Sequence, residues 1–112
     1  GYGGGGLTVE LVWSALTATT GNVRWGGAFR AIPEDAEDID AAHTYDYNFT
    51  AEATASVAGE WQYTTIAFTN GADMDNLANG EWFILRIQRD GGNGADTMTD
   101  TAELNGVIIR ET

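Results

Sequence analysis

Apolar and polar residues alternate along three stretches in the first half of the chain, and this alternation predicts β-strands. In 7–14 the odd positions are apolar and most even positions are polar. In 23–32, Trp25, Phe29 and Ala31 share one face, and Arg24 and Arg30 share the other. In 44–57 every odd position is apolar, and because that run exceeds the usual strand length we expect a bend or break near 51–55. The Gly26-Gly27 pair predicts a bulge or a place where another backbone comes close.

Two further runs, 61–68 and 82–87, are rich in β-branched and aromatic residues and predict strands on either side of one helical turn near 73–79. Asp73 is positioned to accept hydrogen bonds from the first free N–H groups of that turn. Met74 and Leu77 lie three residues apart, so both are expected to face inward. Gly80 suits a left-handed stop.

A last strand is predicted over 100–111, where the apolar residues do not alternate cleanly and Gly106 is a natural bulge. Six or seven strands with turn signals between them predict an all-β fold, a two-sheet antiparallel sandwich of jelly-roll type. We expect residues 1–6 to form a glycine-rich lead-in and 7–112 a single domain. Since the chain starts at Gly1 and not at Met, we expect either processing before Gly1 or a longer parent chain.

The charge is lopsided, with seventeen acidic residues, five arginines, no lysine and a formal net charge of −12. Such a charge repels phosphate backbones and anionic lipid headgroups, so we expect neither nucleic acid nor membrane as a partner. The acidity suits a salty environment, or it offsets a basic neighbour in an assembly. Without cysteine, neither a disulfide nor a thiolate metal site is available.

Acidic loops raise the question of calcium, because 35–40 and 73–75 carry carboxylates at short spacing. Neither loop matches the twelve-residue helical calcium loop, so we expect solvated surface and no cofactor, with structural calcium as the alternative. His43 is the only histidine, and no nucleophile motif or second histidine accompanies it. Asn70-Gly71-Ala72-Asp73 recurs as 93–96, but one strand separates the two loops, so we expect them at opposite ends of the domain. Without a catalytic constellation, we expect the chain not to be an enzyme.

The four tryptophans are the remaining candidates for a functional surface. Trp13, Trp25 and Trp61 share faces with aliphatic residues and are predicted to be core. Trp82 lies on the strand face opposite Phe83, Leu85 and Ile87. There it shares a face with Arg86 and Gln88. An aromatic ring in that position can stack on a sugar ring or fill a neighbouring subunit's pocket, although packing under its own strand's neighbours explains it equally well.

The second half of the chain, 64–112, resembles a jelly-roll domain of structural proteins of tailed bacteriophages. The resemblance rests on Ile-Ala-Phe-Thr at 66–69, the aspartate-to-leucine turn at 73–80, Leu-Arg-Ile-Gln-Arg-Asp at 85–90, the Asp-Thr loop after Gly94, and Ala102 to Arg110. The first half agrees in strand pattern only. The resemblance implies a non-catalytic domain and supplies no catalytic residues.

From this resemblance we expect a virion structural domain that serves in capsid decoration or in a fibre or tail appendage, at the particle surface. Its expected partners are other copies of itself, in a homotrimer or a multi-copy layer, and other virion proteins. The candidate interface residues are Trp82, Arg86, Gln88, Arg24 and Arg30, since aromatic residues and arginine dominate interface energetics. The alternative is a carbohydrate-binding module that holds a host-surface glycan on an exposed aromatic.

Overall fold

The computed structural model describes residues 3–112, which form six β-strands and one short 3₁₀ turn. The predicted tether residues Gly1 and Tyr2 lie outside the described residues. The strands are β1 Leu7–Ala15, β2 Asn22–Ile32, β3 Asn48–Ala53, β4 Gln62–Phe68, β5 Trp82–Arg89 and β6 Ala102–Glu111, and the 3₁₀ turn is Ala72–Met74.

The strands form two three-stranded sheets, in which every pairing is antiparallel. One sheet has the order β4-β1-β6 and the other has the order β3-β2-β5. The predicted all-β sandwich of two antiparallel sheets is therefore confirmed. In each sheet the central strand is early in the chain, and both β5 and β6 are edge strands.

The core lies between the two central strands, where alternate residues of β1 meet alternate residues of β2. Trp13 and Trp25 pack with their ring centroids 6.0 Å apart, and both are buried, as predicted. The Trp13 indole N–H donates to Thr64 Oγ1 at 2.8 Å, which satisfies a polar group that burial would otherwise leave without a partner. Phe29 packs edge-on against Phe68 at 4.8 Å. The inward-facing residues of the two sheets therefore form one hydrophobic core.

One side of the sandwich is closed by side chains that bridge β3 and β4. Asn48 Nδ2 donates to the Ala67 carbonyl at 2.9 Å, and Thr50 Oγ1 donates to the Thr65 carbonyl at 2.9 Å. On the opposite side, no hydrogen bond within the described part of the chain links β5 to β6. The two sheets therefore meet along one edge and stand apart along the other.

The connection 33–47 between β2 and β3 crosses the outer face of the second sheet. This packing explains why Arg30, on the face of β2 that points away from the core, is only 5% exposed. Its guanidinium donates to Glu37 Oε1 at 2.6 Å and to the Asp38 carbonyl at 2.8 Å. The acidic stretch predicted to be a solvated connection thus supplies a carboxylate for a buried arginine.

Four local predictions were wrong. Trp61 is 62% exposed, because it lies just before β4 on the outer face, where no chain covers the sheet. Asp73 does not cap its turn: its Oδ2 accepts from Thr69 N at 2.8 Å and Asn48 Nδ2 at 2.9 Å. The turn is shorter than predicted because Asp75 enters the left-handed region at φ 54° and ends it. Residues 44–47 are not strand, since β3 begins only at Asn48.

Other local predictions are confirmed. Met74 and Leu77 are buried together in the core. The register between β1 and β6 shifts between Val12, which faces Gly106, and Trp13, which faces Leu104, so the predicted bulge is present at Asn105. The similar loops at 70–73 and 93–96 do lie at opposite ends of the domain. Residues 96–98 hydrogen-bond to the start of β2, whereas Asp75, just after the other loop, hydrogen-bonds to its end.

The described glycines of the lead-in run beside the end of β6. The Thr112 N–H donates to the Gly6 carbonyl at 3.0 Å, which continues the β1–β6 ladder by one step. A side chain at Gly6 would lie 2.8 Å from the Phe68 carbonyl, so only glycine fits there. In residues 3–112, none of the helical structure is long and apolar enough to cross a membrane.

Candidate interaction surface

The open side of the sandwich carries a concentration of exposed apolar side chains. Among the described residues, eleven large apolar side chains are exposed, and six of them belong to β5 and β6. We call this set the β5/β6 edge; it consists of Trp82, Phe83, Leu104, Val107, Ile108 and Ile109. These side chains point in different directions, with Phe83, Val107 and Ile109 toward the core side and Trp82 and Ile108 on the outer faces of the two sheets. A concentration of exposed apolar side chains along one side of a domain is typical of an interaction site.

Between β5 and β6 the core opens into a cleft of about 250 Å³. Leu7 and Ile109 line it from one sheet, Phe83 lines it from the other, and Leu77 forms part of its wall. Phe83 also contacts Phe29 at 5.4 Å, so the cleft continues directly into the core. Charged side chains stand at its rim, namely Glu81, Arg110 and Glu111. The cleft is an apolar opening with a charged border.

Strand β6 is exposed on both of its faces, unlike the central strand it pairs with. Val107 and Ile109 face Leu11 and Val9 and so point toward the core, yet they remain 42% and 38% exposed. Ile108 faces Glu10, points to the outside, and is 51% exposed. A long edge strand with unpaired backbone groups and exposed aliphatic side chains is a template for pairing with another chain.

The structure places three of the predicted site residues on the outer face of β5. Trp82 is 82% exposed, and Arg86 and Gln88 are exposed on the same face. The Arg86 guanidinium lies 4.5 Å from the centroid of the Tyr45 ring, so a cation–π contact within the chain already occupies it. Trp82 and Gln88 are about 20 Å apart along the strand and do not form one site.

Arg24 and Arg30 also have partners within the chain. Arg24 is half-buried, pairs with Asp90, and stacks 3.8 Å from the centroid of the Phe49 ring. Arg30 is buried beneath 33–47, and its hydrogen bond to Glu37 raises its pKa further. Of the predicted set, only Trp82 is a large apolar side chain exposed on the open side of the sandwich.

Trp82 forms one wall of an acidic groove of about 610 Å³ on the outside of the second sheet. Ile32 and Pro33 contribute apolar surface to this groove. The remaining lining is mostly acidic or small, with Glu34, Asp35, Glu37, Asn79, Gly80 and Glu81. The groove therefore combines one aromatic ring, which offers a stacking surface, with carboxylates that can accept hydrogen bonds.

The acidic loops considered for calcium use their carboxylates for other contacts. Glu37 pairs with Arg30, Asp75 Oδ2 accepts from the Ala31 N–H at 3.0 Å, and Asp73 binds Asn48 and Thr69. Across residues 3–112, no group of three or more histidine or acidic side chains is arranged to hold a metal ion. His43 lies in the connection 33–47, 3.6 Å from Asp75 and edge-on to Tyr45.

Sequence reasoning did not single out the aliphatic residues of β6. The uneven alternation over 100–111 predicts a bulged strand, and the structure shows in addition that Val107, Ile108 and Ile109 are all exposed. The signal was present: three consecutive β-branched residues cannot all face one side of a strand, so at least one must point away from the core. What the sequence did not reveal was that β6 lies at an edge.

No protein-family model matches the sequence, and comparisons with curated proteins and with solved structures find no significant match.

Proposed function

We propose that this domain is a non-catalytic structural module of a virion surface, in capsid decoration or in a fibre or tail appendage. The observation that carries the proposal is the β5/β6 edge, where six large apolar side chains are exposed beside an open cleft. Protein surfaces of this composition are covered by other protein, since burying apolar area drives association. The resemblance of 64–112 to phage structural domains supports the choice of a virion.

The partners are other copies of the same chain and other virion proteins. An isologous contact buries the same patch on both copies, so one apolar edge is sufficient to join two copies, and a layer uses further contacts besides it. The net charge of −12 keeps the rest of the surface soluble and argues against binding to nucleic acid or to an anionic membrane. In this proposal the domain lies at the outside of the particle, since its negative charge is unfavourable beside phosphate backbones.

Removing Trp82 tests the proposal. Trp82 is the most exposed large apolar side chain of the described residues, and its truncation removes a ring that contributes little to the monomer's own core. We expect Trp82→Ala to shift the mass distribution toward the monomer in light scattering, with unfolding temperature unchanged within error. Aromatic anchors at interfaces typically cost about 2 kcal/mol or more when truncated, which is roughly thirtyfold in affinity.

Trp61→Ala is the matched control, because Trp61 is 62% exposed on the outer face of the other sheet, away from the open side. It removes the same side chain and is expected to leave the mass distribution unchanged. If the unmodified protein is a monomer at every concentration, or if Trp82→Ala and Trp61→Ala assemble equally well, the proposed role of Trp82 in assembly is wrong.

A second function, glycan binding, is favoured by one observation, the groove beside Trp82. A ring that is 82% exposed next to carboxylates offers both a stacking face and hydrogen-bond acceptors for sugar hydroxyls. In that case, oligosaccharides would quench tryptophan fluorescence in the unmodified protein and in Trp61→Ala, but not in Trp82→Ala. Absence of quenching over a panel of neutral and acidic glycans would leave assembly as the sole proposal.

A further inference from the structure

Strand β6 has a side-chain pattern that reads alike in both directions about Ile108. Val107 and Ile109 flank it, and polar or small residues follow on both sides, with Gly106 and Asn105 before and Arg110 and Glu111 after. An antiparallel partner strand runs in the opposite direction, so a strand with such a pattern is complementary to itself. We propose that β6 pairs with the β6 of a second copy, about a two-fold axis through Ile108. This inference rests on the proposed assembly function and specifies its contact.

The symmetry of an antiparallel pair limits the registers available. Facing pairs alternate between hydrogen-bonded and non-hydrogen-bonded types, so a two-fold axis must pass through one facing pair. That pair consists of the same residue from both copies, as in any isologous contact. Each choice of central residue therefore defines one register, and the registers can be compared by the side chains they bring together.

The register centred on Ile108 places aliphatic residues opposite one another and keeps like charges apart. Ile108 faces Ile108 on the outer side, and Val107 faces Ile109 twice on the core side. Arg110 then faces Gly106, where a Cβ would contact only Val12 Cβ at 3.9 Å, so the space above Gly106 is open to the arginine stem. Glu111 faces Asn105.

The neighbouring registers are worse. Centring on Val107 brings Glu103 opposite Glu111, and like charges that face each other destabilise a sheet. Centring on Ile109 places Arg110 and Glu111 against Ile108 and Val107 and leaves a single aliphatic pair. Centring on Gly106 places the Asn105 bulge directly beside the axis, where its extra residue interrupts the pairing, whereas the register centred on Ile108 reaches Asn105 only at its last pair.

The pairing also accounts for features that the isolated chain leaves unsatisfied. It would join the β4-β1-β6 sheets of the two copies into one six-stranded sheet of order β4-β1-β6-β6-β1-β4. It would also pair backbone groups of β6, an edge strand ten residues long. Val107 and Ile109, which already point toward the core side, would gain aliphatic neighbours there. Arg110 is paired with Glu10 at 3.0 Å, so the strand brings no unpaired cation into the contact.

A single cysteine tests the register directly, because the chain has none of its own. Residues facing each other across antiparallel strands have Cα atoms about 4.5–5.5 Å apart, within reach of a disulfide. We expect Ile108→Cys treated with diamide to give a covalent dimer on a non-reducing gel. Val107→Cys should not, since two Val107 positions would lie about 8 Å apart, beyond disulfide reach.

A charge substitution tests the energetics. Ile108→Lys would place two ammonium groups opposite each other at the axis, so we expect self-association to weaken by about tenfold or more. Val57→Lys is the matched control, because Val57 is 54% exposed in the turn before β4 and the change in net charge is the same. That variant should associate within about twofold of the unmodified protein.

The outcomes separate this inference from the proposed function. Three results would each contradict β6 pairing without contradicting the proposed assembly function. They are a persistent oligomer in Ile108→Lys, a trimer without even-numbered species, and equal cross-linking of Val107→Cys and Ile108→Cys. If the unmodified chain stays monomeric at all concentrations, both the β6 pairing and the proposed assembly function are wrong. Cross-linking confined to Ile108→Cys, with weakened association of Ile108→Lys only, is the result that supports the pairing.

Discussion

At the scale of single residues, Asp100 shows how one half-buried carboxylate joins two parts of the chain that are far apart in sequence. Its Oδ2 accepts from the Thr17 N–H at 2.6 Å and from the Ala18 N–H at 2.9 Å, in the turn after β1. These bonds, with another from the Thr101 N–H, lower the pKa of Asp100 to about 2. Hydrogen bonds to backbone N–H groups favour the charged carboxylate, which is the form that holds the turn.

Asp100 therefore makes stability depend on acidity in one direction. Its pKa in the folded protein lies below the ordinary value of 3.8, so the stability it contributes is complete above that value and is lost as the pH falls toward 2. We expect Asp100→Asn to lower the unfolding temperature at pH 7. The gap to the unmodified protein should narrow between pH 4 and pH 2, as followed by circular dichroism.

Asp46→Asn is the matched control, because Asp46 is an exposed carboxylate in the connection 33–47. It removes one negative charge and should not lower stability at pH 7. Equal unfolding temperatures for Asp100→Asn and the unmodified protein at pH 7 would mean that the asparagine amide holds the turn as well as the carboxylate does.

At the scale of elements, three aromatic side chains lie in a row on the outer face of the second sheet. The row begins in the last residues of the connection 33–47 and ends in β3. Tyr45, Tyr47 and Phe49 follow one another at 6.3 and 5.9 Å, and the last two are stacked. Phe49 faces Gly26 across the β2–β3 ladder, and a Cβ at Gly26 would lie 2.6 Å from its ring. The Gly26-Gly27 pair thus makes room for neighbouring side chains, and the registers of β2 with β3 and β5 show no bulge there.

Filling that space should be costly. We expect Gly26→Ala to destabilise the fold by about 1–3 kcal/mol, the usual range for an added methyl in a packed site. The Phe49 ring has little freedom to move, because Arg24 stacks on it at 3.8 Å and Tyr47 stacks beside it. Urea unfolding of the single and double variants measures the effect, and Gly26→Ala should cost much less when Phe49→Ala is already present.

Gly92→Ala serves as the control, since no atom lies within 4 Å of the position its Cβ would take. Its effect should stay within about 0.5 kcal/mol, as for most surface substitutions. If Gly26→Ala costs the same with and without Phe49→Ala, the ring is not what excludes the side chain.

The elements themselves were largely predictable from the sequence, because alternation and β-branched residues are local signals. The exceptions depend on contacts between distant residues. Trp61 shares its strand face with Tyr63 and Ala67, and no chain covers that face of the sheet. Asp73 binds Asn48, twenty-five residues away, in place of its own turn. The candidate surface was predictable only at Trp82, since the exposure of Ile108 and Phe83 follows from the strand order, which local patterns do not determine.

At the scale of the whole molecule, most arginines form ion pairs with carboxylates, whereas most carboxylates have no arginine partner. Four of the five arginines pair with a carboxylate, on Glu10, Glu37, Asp90 and Asp96, and Arg86 stacks on Tyr45. Four of the seventeen acidic side chains are neutralised in this way. The remaining carboxylates repel one another across a small domain, so the compact state carries an electrostatic cost that salt can screen.

Stability is therefore expected to rise with ionic strength. At about 0.15 M salt the Debye length is about 8 Å, short enough to screen repulsion between surface carboxylates, while the half-buried ion pairs are screened less. We expect the unfolding temperature to rise from low salt and to level off in moderate salt, equally in NaCl and KCl. At pH 4.1, near the isoelectric point of the sequence, the net repulsion is small and this dependence should largely disappear. A fall in unfolding temperature with added salt at pH 7 would show instead that the arginine ion pairs outweigh the repulsion.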